Sequence, residues 1–338
     1  MEEETMKQLA RLVFGAALTA LSWAPAAAAV LDDGQNVQYY ANMKGKKIVF
    51  VPQAAGIDNV EGYITAMRKQ AEALGYAVDV RDPNWNTDLG AQAISAAITE
   101  KPDVLVVMNQ DVQSYARLLK QAMAAGIPVI QVQVKSVVST DGYAGPEWFD
   151  VAYRGIKAAM DTCSPSKGKS GKIAIMQGTP TNPANAYGMA ALEDLTAKNK
   201  DIQVVSTQAG DWDATKAHGV ASTVLKQNPD LCAYIGFWDG QDVGVSAAVA
   251  EAGLTGKVLV FSSGGGNQSS CDNVSKGGFD YYVSYDAAGQ ARDLNDAIKI
   301  VLQQKAKPGE KPFALYSNVK VVTKDTLTPT SCWSKRDF

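Results

Sequence analysis

Lys47-Ile-Val-Phe-Val51, the stretch Gly62–Leu74 and Ala77-Val-Asp-Val80 follow one another closely, and their order decides the fold. Within Gly62–Leu74, Ile64, Met67, Ala71 and Leu74 recur at helical spacing on one face. Gly75 then punctuates the return to an extended run. The run at 47–51 is too continuously apolar for a half-solvated strand, which suits a parallel sheet covered on both faces. The unit is strand, helix, strand.

It repeats. Val104-Leu-Val-Val-Met108 and Val129-Ile-Gln-Val132 are further strands. Thr87–Thr99 carries Leu89, Ala93, Ile94, Ala97 and Ile98 on one helical face, and Gly126 and Pro128 mark another turn. After the Gly/Ser/Lys-rich loop Ser164–Gly171 a second series begins: Lys172-Ile-Ala-Ile-Met176, Ile202-Gln-Val-Val205, Ala233-Tyr-Ile-Gly236, Val258-Leu-Val-Phe261 and Tyr281-Tyr-Val-Ser284. Helices at Asp213–Gln227, with Asp213 as N-cap, and Val243–Ala252 separate them. Two such series predict an α/β chain of two doubly wound parallel-sheet lobes. Sheets of this kind take ligands outside the carboxyl ends of their strands. Leu31 to Gly45, ahead of the first strand, reads as an extended lead.

The chain has 338 residues, 46% hydrophobic and 20% charged, with a formal net charge of −3. That balance argues against a nucleic-acid partner, which needs concentrated Lys and Arg. At the start, Lys7 and Arg11 precede the apolar run Leu12–Trp23, and Ala27-Ala28-Ala29 follows Pro25. This is the layout of a secretory signal peptide over residues 1–29, with the mature chain starting near Val30. Glu2-Glu3-Glu4 spoils the basic lead, so Met6 competes with Met1 as the start. The apolar run is too short to span a bilayer, and a soluble exported protein is expected.

Cys163, Cys232, Cys271 and Cys332 form no C-x-x-C pair, and an even number in an exported chain suggests disulfides, with three pairings open. Enzymatic readings fail on inventory. His218 stands alone, in the middle of a helix rather than at a strand end. No His/Cys cluster offers a metal site. Gly168-Lys169-Ser170 lacks the upstream glycine of a phosphate loop and precedes a strand instead of following one. Gly264-Gly265-Gly266 reads as a tight turn, and Asp239 and Asp242 lack a facing partner for acid–base work. Neither an enzyme nor a cofactor is expected.

The strand ends tell more. Pro52-Gln53, Asp58-Asn59, Gln131 and Gln133 follow strands of the first series. Asn182, Asn185, Asp211-Trp212, Trp238-Asp239, Ser262-Ser263 and Tyr285-Asp286 follow strands of the second. Amides and carboxylates can fork across neighbouring hydroxyls, while tryptophan faces pack the C–H side of a sugar ring. The mixture suits a polyhydroxylated ligand.

From about Lys46 to Val322 the chain resembles the periplasmic substrate-binding proteins of ABC sugar importers, of the ribose/galactose-binding type. The resemblance rests on collinear patterns: Lys47–Asn59, Leu74-Gly75-Tyr76, Glu100-Lys-Pro-Asp-Val-Leu-Val-Val107, Ala124-Ala-Gly-Ile-Pro-Val-Ile130, Gln177-Gly178, Gly210-Asp-Trp-Asp213, Asn228-Pro-Asp230 and Trp238-Asp239. It implies two lobes joined by three crossovers: an N-terminal lobe of 46–146 and 286–312, and a C-terminal lobe of 147–285 and 313–338, after a lead of 30–45. It also implies ligand contacts from Gln53, Asp58, Asn59, Gln133, Asn185, Trp212, Trp238, Asp239, Ser263 and Tyr285. Gln133 and Ser263 stand where relatives carry aspartate, and Asn185 where they carry arginine. This implies a neutral sugar or polyol other than ribose, although Asp58, Asp211, Asp239 and Asp286 leave room for an amino sugar. The implied partners are that ligand, the permease subunits of an inner-membrane ABC importer and, as a further candidate, a chemoreceptor. The implied state is a periplasmic monomer. A quorum-signal receptor shares the fold and stands as the alternative, whereas repressors of the lactose type carry a DNA-binding segment where this chain has its export signal. The resemblance also implies pairing of Cys163 with Cys232, away from the cleft, and of Cys271 with Cys332 as a staple for the tail.

Overall fold

The computed structural model describes residues 33–338, so the export signal expected over 1–29 and the choice between Met1 and Met6 lie outside the described residues. Asn42–Phe338 forms one compact unit. The stretch expected to be extended is instead helical, α1 (Gln35–Met43). No glycine or proline interrupts those residues, and Ala, Gln and Met enter a helix at little cost.

The chain then runs β1 (Lys47–Val51), α2 (Asp58–Leu74), β2 (Ala77–Val80), α3 (Thr87–Glu100), β3 (Val104–Val107), α4 (Ala116–Ala124), β4 (Val129–Val132) and β5 (Gly142–Gly145). It crosses to a second lobe with α5 (Trp148–Cys163), β6 (Lys172–Met176), α6 (Pro183–Lys198), β7 (Gln203–Ser206), α7 (Ala214–Gln227), β8 (Ala233–Gly236), α8 (Asp239–Glu251), β9 (Leu259–Gly264), α9 (Gln268–Lys276) and β10 (Tyr281–Ser284). It returns through α10 (Ala287–Gln303) and β11 (Phe313–Tyr316), then crosses once more to β12 (Lys320–Val322).

The sheets are ordered β11-β5-β4-β3-β1-β2 and β12-β10-β9-β8-β6-β7. Within each, the first five strands of the series take the same doubly wound order, and all pairings are parallel except β10 with β12. An antiparallel edge on an otherwise parallel sheet is common. Side chains from Ile48 to Val51 are fully buried, as are Val104 to Val107. Burying each such aliphatic group contributes about 1.5–3 kcal/mol. Asn86 and Asp213 cap α3 and α7, their side chains accepting from Leu89 N and Lys216 N.

The last return, expected at 312–313, falls instead at 317–319, because β11 pairs with β5 in the first sheet, Phe313 opposite Gly142. β11 alternates half-buried and exposed side chains, an edge pattern that hides in a short sequence.

Cys163, at the end of α5, is joined to Cys232, just ahead of β8, on the side of the second lobe away from the strand carboxyl ends. Cys271 on α9 is joined to Cys332. Beyond that bond the tail leaves the second lobe and reaches α2 of the first. Trp333 N and Nε1 donate to the Gly266 and Gly265 carbonyls at 2.8 and 2.6 Å. Lys335 Nζ lies 3.1 Å from Glu61, and Lys69 donates to the Phe338 carbonyl. The Phe338 ring rests on Gly62, where a Cβ would come within 2.4 Å of it, so no larger residue fits there without displacing the ring.

The Cys163–Cys232 bond closes a loop with a sequence separation of 69. Replacing both cysteines by alanine should remove roughly 2–4 kcal/mol of stability by relaxing the unfolded chain. Urea unfolding of the oxidised protein beside the double variant measures this, and coincident curves would contradict it.

Candidate functional site

The carboxyl ends of both sheets face one cleft. Its inner pocket holds about 380 Å³ of space not filled by protein atoms, part of it open to solvent. Each lobe supplies residues just past its strands: Gln53 after β1, Trp85 after β2, Met108 after β3 and Gln133 after β4 from the first; Trp212 after β7, Phe237 and Trp238 after β8, and Tyr285 after β10 from the second. Ile57, Asn59, Val134, Trp148, Asn182 and Ala184 complete the lining. None of these side chains is an acid or a base with a charge at neutral pH. A wider outer chamber of about 1210 Å³ shares Asn59, Trp85, Trp212, Trp238 and Tyr285, and adds Asp58, Asp239 and Trp333. The lobes touch beside the cleft through Val112 N to Thr181 O at 3.1 Å, Asn182 Nδ2 to Gln110 O at 3.0 Å and Asn267 Nδ2 to Asp58 Oδ2 at 2.9 Å.

Gln133 joins the pocket to the hinge. Its backbone is left-handed, with φ 58°. Its carbonyl accepts from Trp148 Nε1 at 2.7 Å and from Tyr143 OH at 2.8 Å. Its Oε1 accepts from Asn59 Nδ2 at 2.6 Å, and its Nε2 donates to Tyr285 OH at 3.3 Å. Tyr63 OH donates to Gln290 Oε1 at 2.6 Å, and Gln290 Nε2 donates to the Tyr285 carbonyl at 2.6 Å. Burial pushes the Tyr63 and Tyr285 phenols well above their usual range, so both remain protonated.

Trp85, Trp212 and Trp238 converge. The Trp85 and Trp238 ring centroids are 6.3 Å apart at 57°, and Trp212 and Trp238 are 6.2 Å apart at 81°. Trp212 lies over Gly178, where a Cβ would approach its ring to 2.1 Å. Both Trp85 and Trp212 have positive φ, 65° and 64°. For a bulky residue this conformation is an outlier that costs on the order of 1–3 kcal/mol. Trp85 N is held by the Gln53 carbonyl at 2.8 Å, and Trp212 N by Gln241 Oε1 at 2.8 Å.

Of the residues expected to touch ligand, Gln53, Asn59, Gln133, Trp212, Trp238 and Tyr285 line the inner pocket. Asp58 and Asp239 reach only the outer chamber. Asp58 is engaged by Asn267 of the other lobe. The Asp239 carboxylate is buried and accepts from Ser270 Oγ at 2.5 Å, Tyr282 OH at 2.7 Å and Gly240 N at 2.8 Å. Asn185 and Ser263 line neither the inner pocket nor the outer chamber, and both hydrogen-bond within the second lobe. Asn185 accepts from Gly178 N and donates to Gln177 Oε1, and Ser263 Oγ donates to the Phe237 carbonyl. Trp85, Trp148, Met108 and Phe237 were not anticipated. Trp85 had a legible signal, because Asn84-Trp85-Asn86 repeats the pattern of Asp211-Trp212-Asp213 at the equivalent place in the other lobe.

Asp242 is fully buried behind Trp238. Its Oδ2 accepts from Ser262 Oγ at 2.6 Å and its Oδ1 has no partner. Burial raises its pKa well above the ordinary carboxylate value, and the Asp239 charge adds to the shift. Burial raises Asp239 as well. His218, on α7, pairs with Glu251 at 2.9 Å, outside the cleft lining. Among the described residues no cluster of three or more His, Cys, Asp or Glu could hold a metal ion, and no helix is long and apolar enough to cross a membrane.

This architecture, two doubly wound lobes around a cleft whose inner pocket is neutral and tryptophan-walled, is that of a two-lobed ligand-binding protein. The chain belongs to the family described as the periplasmic binding protein domain, whose sequence model matches residues 48–306. It is 33% identical over 132 residues to the D-allose-binding periplasmic protein of Escherichia coli, covering 39% of this chain and 40% of that one. It is 21% identical over 193 residues to the D-apiose import binding protein of Actinobacillus succinogenes, covering 57% and 62%. The matched region thus spans less than two thirds of either curated relative. Among solved structures, it superposes on an ABC transporter solute-binding protein of Agrobacterium vitis bound with α-D-tagatopyranose (TM-score 0.73, 20% identity, 85% of this chain and 97% of that one). A protein of Actinobacillus succinogenes with bound D-allose gives a TM-score of 0.71 at 22% identity, covering 83% and 98%.

An acid whose pKa is higher in the folded state binds its proton more tightly there. Its contribution to stability is therefore fully present below the unfolded carboxylate value near 4 and is lost as pH rises toward the folded pKa. Asp242→Asn should remove that loss, raising the urea midpoint at pH 7.5 relative to the native protein and flattening the profile above pH 4. An unchanged profile would show that Asp242 does not titrate in this way.

Proposed function

We infer that this chain is an exported, monomeric solute-binding receptor that captures a neutral sugar or polyol between its lobes, without chemistry of its own. It would deliver the ligand to an ABC importer in the inner membrane. The single observation that carries this reading is the inner pocket: neutral amides and tryptophan faces from both lobes meet at the strand carboxyl ends, with no charged side chain in the lining. Amides serve hydroxyls that both donate and accept, and an indole face covers the apolar side of a sugar ring. The D-allose, D-apiose and tagatopyranose named for the relatives support the same ligand class.

The mechanism is a population shift. Gln53 and Asn59 stand on one lobe and Trp212 and Trp238 on the other, so a ligand meets both sets only when the lobes are together. Its differential affinity for that arrangement draws the equilibrium toward closure. Hinge closure of this kind rests on a few residues between elements. Here they are 146–147, 285–286 and 317–319, and Tyr285 of the second crossing touches the pocket. A closed form of fixed shape is what a permease could distinguish from an empty receptor. The family and the export signal read in residues 1–29 support the periplasm as its place.

A thermal-shift screen of neutral aldoses, ketoses, polyols, amino sugars and nucleosides tests the reading. At a hundredfold excess over Kd a true ligand adds about 2.7 kcal/mol, or roughly 4 °C in Tm for a protein of this size. The ligand should be recovered unchanged. Stabilisation by nucleosides alone, or conversion of a sugar to product, would overturn the assignment.

A further inference from the structure

We propose that Trp85 is a ligand-contacting, specificity-determining residue that makes the cleft select a cyclic sugar over its open-chain polyol. This rests on the reading of the cleft as a sugar site and narrows it.

The first observation is a duplicated turn. Asn84 and Trp85 follow β2 with φ values of 47° and 65°, and Asp211 and Trp212 follow β7 with 54° and 64°. β2 and β7 hold the same terminal place in their sheets. In each turn the next residue, Asn86 or Asp213, caps the following helix. The two lobes thus each carry a tryptophan to the cleft on a backbone that bulky residues rarely adopt.

The second observation is exposure. Trp85 is 41% exposed, so filling the core does not explain a residue held in a disfavoured conformation. The turn is fixed by local bonds, Trp85 N to the Gln53 carbonyl and Asn84 N to Asp82 Oδ1, both at 2.8 Å. Neither bond needs an indole. A glycine would adopt the same φ without strain. Strained backbone concentrates where a ligand is clamped, and what the tryptophan adds here is its ring.

The third observation is where the ring sits. Trp85 belongs to the first lobe and meets Trp238 of the second at 6.3 Å, and Trp238 in turn meets Trp212 at 6.2 Å. It lines both the inner pocket and the outer chamber. Indoles from both lobes thus line one pocket together with the amides Gln53, Asn59 and Gln133. A pyranose or furanose ring presents a persistent apolar C–H face to an indole, and an open-chain alditol of the same composition does not.

The test is titration of the native protein, Trp85→Gly and Trp85→Phe with aldoses and their matching alditols, by calorimetry, alongside melting of each protein without ligand. The native protein should prefer the ring form by at least about tenfold. Trp85→Gly should bind the aldose at least about tenfold more weakly and lose most of that preference, while its ligand-free Tm stays level or rises. Trp85→Phe should retain most of the affinity. Unchanged binding in Trp85→Gly would overturn the proposal, and so would a ligand-free Tm lower by more than about 5 °C, which marks a packing role. If the native protein binds no sugar at all, the sugar reading itself falls and this proposal with it. If the native protein and Trp85→Gly bind sugars equally well, only the proposal falls.

Discussion

At Gln133 the chain leaves β4, turns left-handed, and commits nearly all the hydrogen-bonding capacity of one residue to tying the pocket to the hinge. The carbonyl takes two donors, from Trp148 and Tyr143, and the side chain meets Asn59 on one side and Tyr285 on the other. Each of these partners belongs to a different element: α5, β5, α2 and the loop after β10. A side chain of another length, or a charge without a counterion in this buried setting, would leave several buried polar groups unpaired. The amide is therefore suited to a site without charged lining. It satisfies its neighbours in both directions and places no charge beside the ligand.

The rest of the site follows from symmetry of construction. Both lobes use the same strand order, so their corresponding loops come to the cleft from opposite sides. Polar residues near the floor are partly committed to one another, as when Gln53 Nε2 donates to the Asn109 carbonyl and Asn182 to Gln110 across the lobes. On the proposed reading, that leaves shape and indole surface to do much of the discrimination. The acids stay out of the inner pocket, Asp58 and Asp239 reaching only the outer chamber. Asp239 and its hydrogen-bond donors Ser270 and Tyr282 tie α8, α9 and β10 together beneath Trp238.

Much of this was legible in the sequence because the signals were periodic. The apolar runs became strands, and the rule that ligands gather at their carboxyl ends led to Gln53, Asn59, Gln133, Trp212, Trp238 and Tyr285. What escaped had physical reasons. Gly142-Tyr-Ala-Gly145 gives little strand signal because glycine weakens it, yet it lies inside the first sheet. Lys320–Val322 is too short to show a period. Asn185 and Ser263 stand near strand ends, but a linear sequence does not reveal that they bond to Gln177, Gly178 and Phe237 of their own lobe. Trp85 was hidden differently. Its turn could be recognised only by setting it beside its counterpart in the other lobe.

The tail after Cys332 gives the molecule a different mechanical character. Three peptide crossings alone form an open hinge, free to bend about one axis and to twist about another. A disulfide on α9 and an aromatic ring seated on Gly62 of α2 add a link that closes the circuit between the lobes. In a closed frame of this sort, rotation is easy only about a line passing close to the extra tie, while other motions shear Phe338 from its seat. The tail thus adds a further tie between the lobes, set apart from the three crossings and from the lining of the inner pocket.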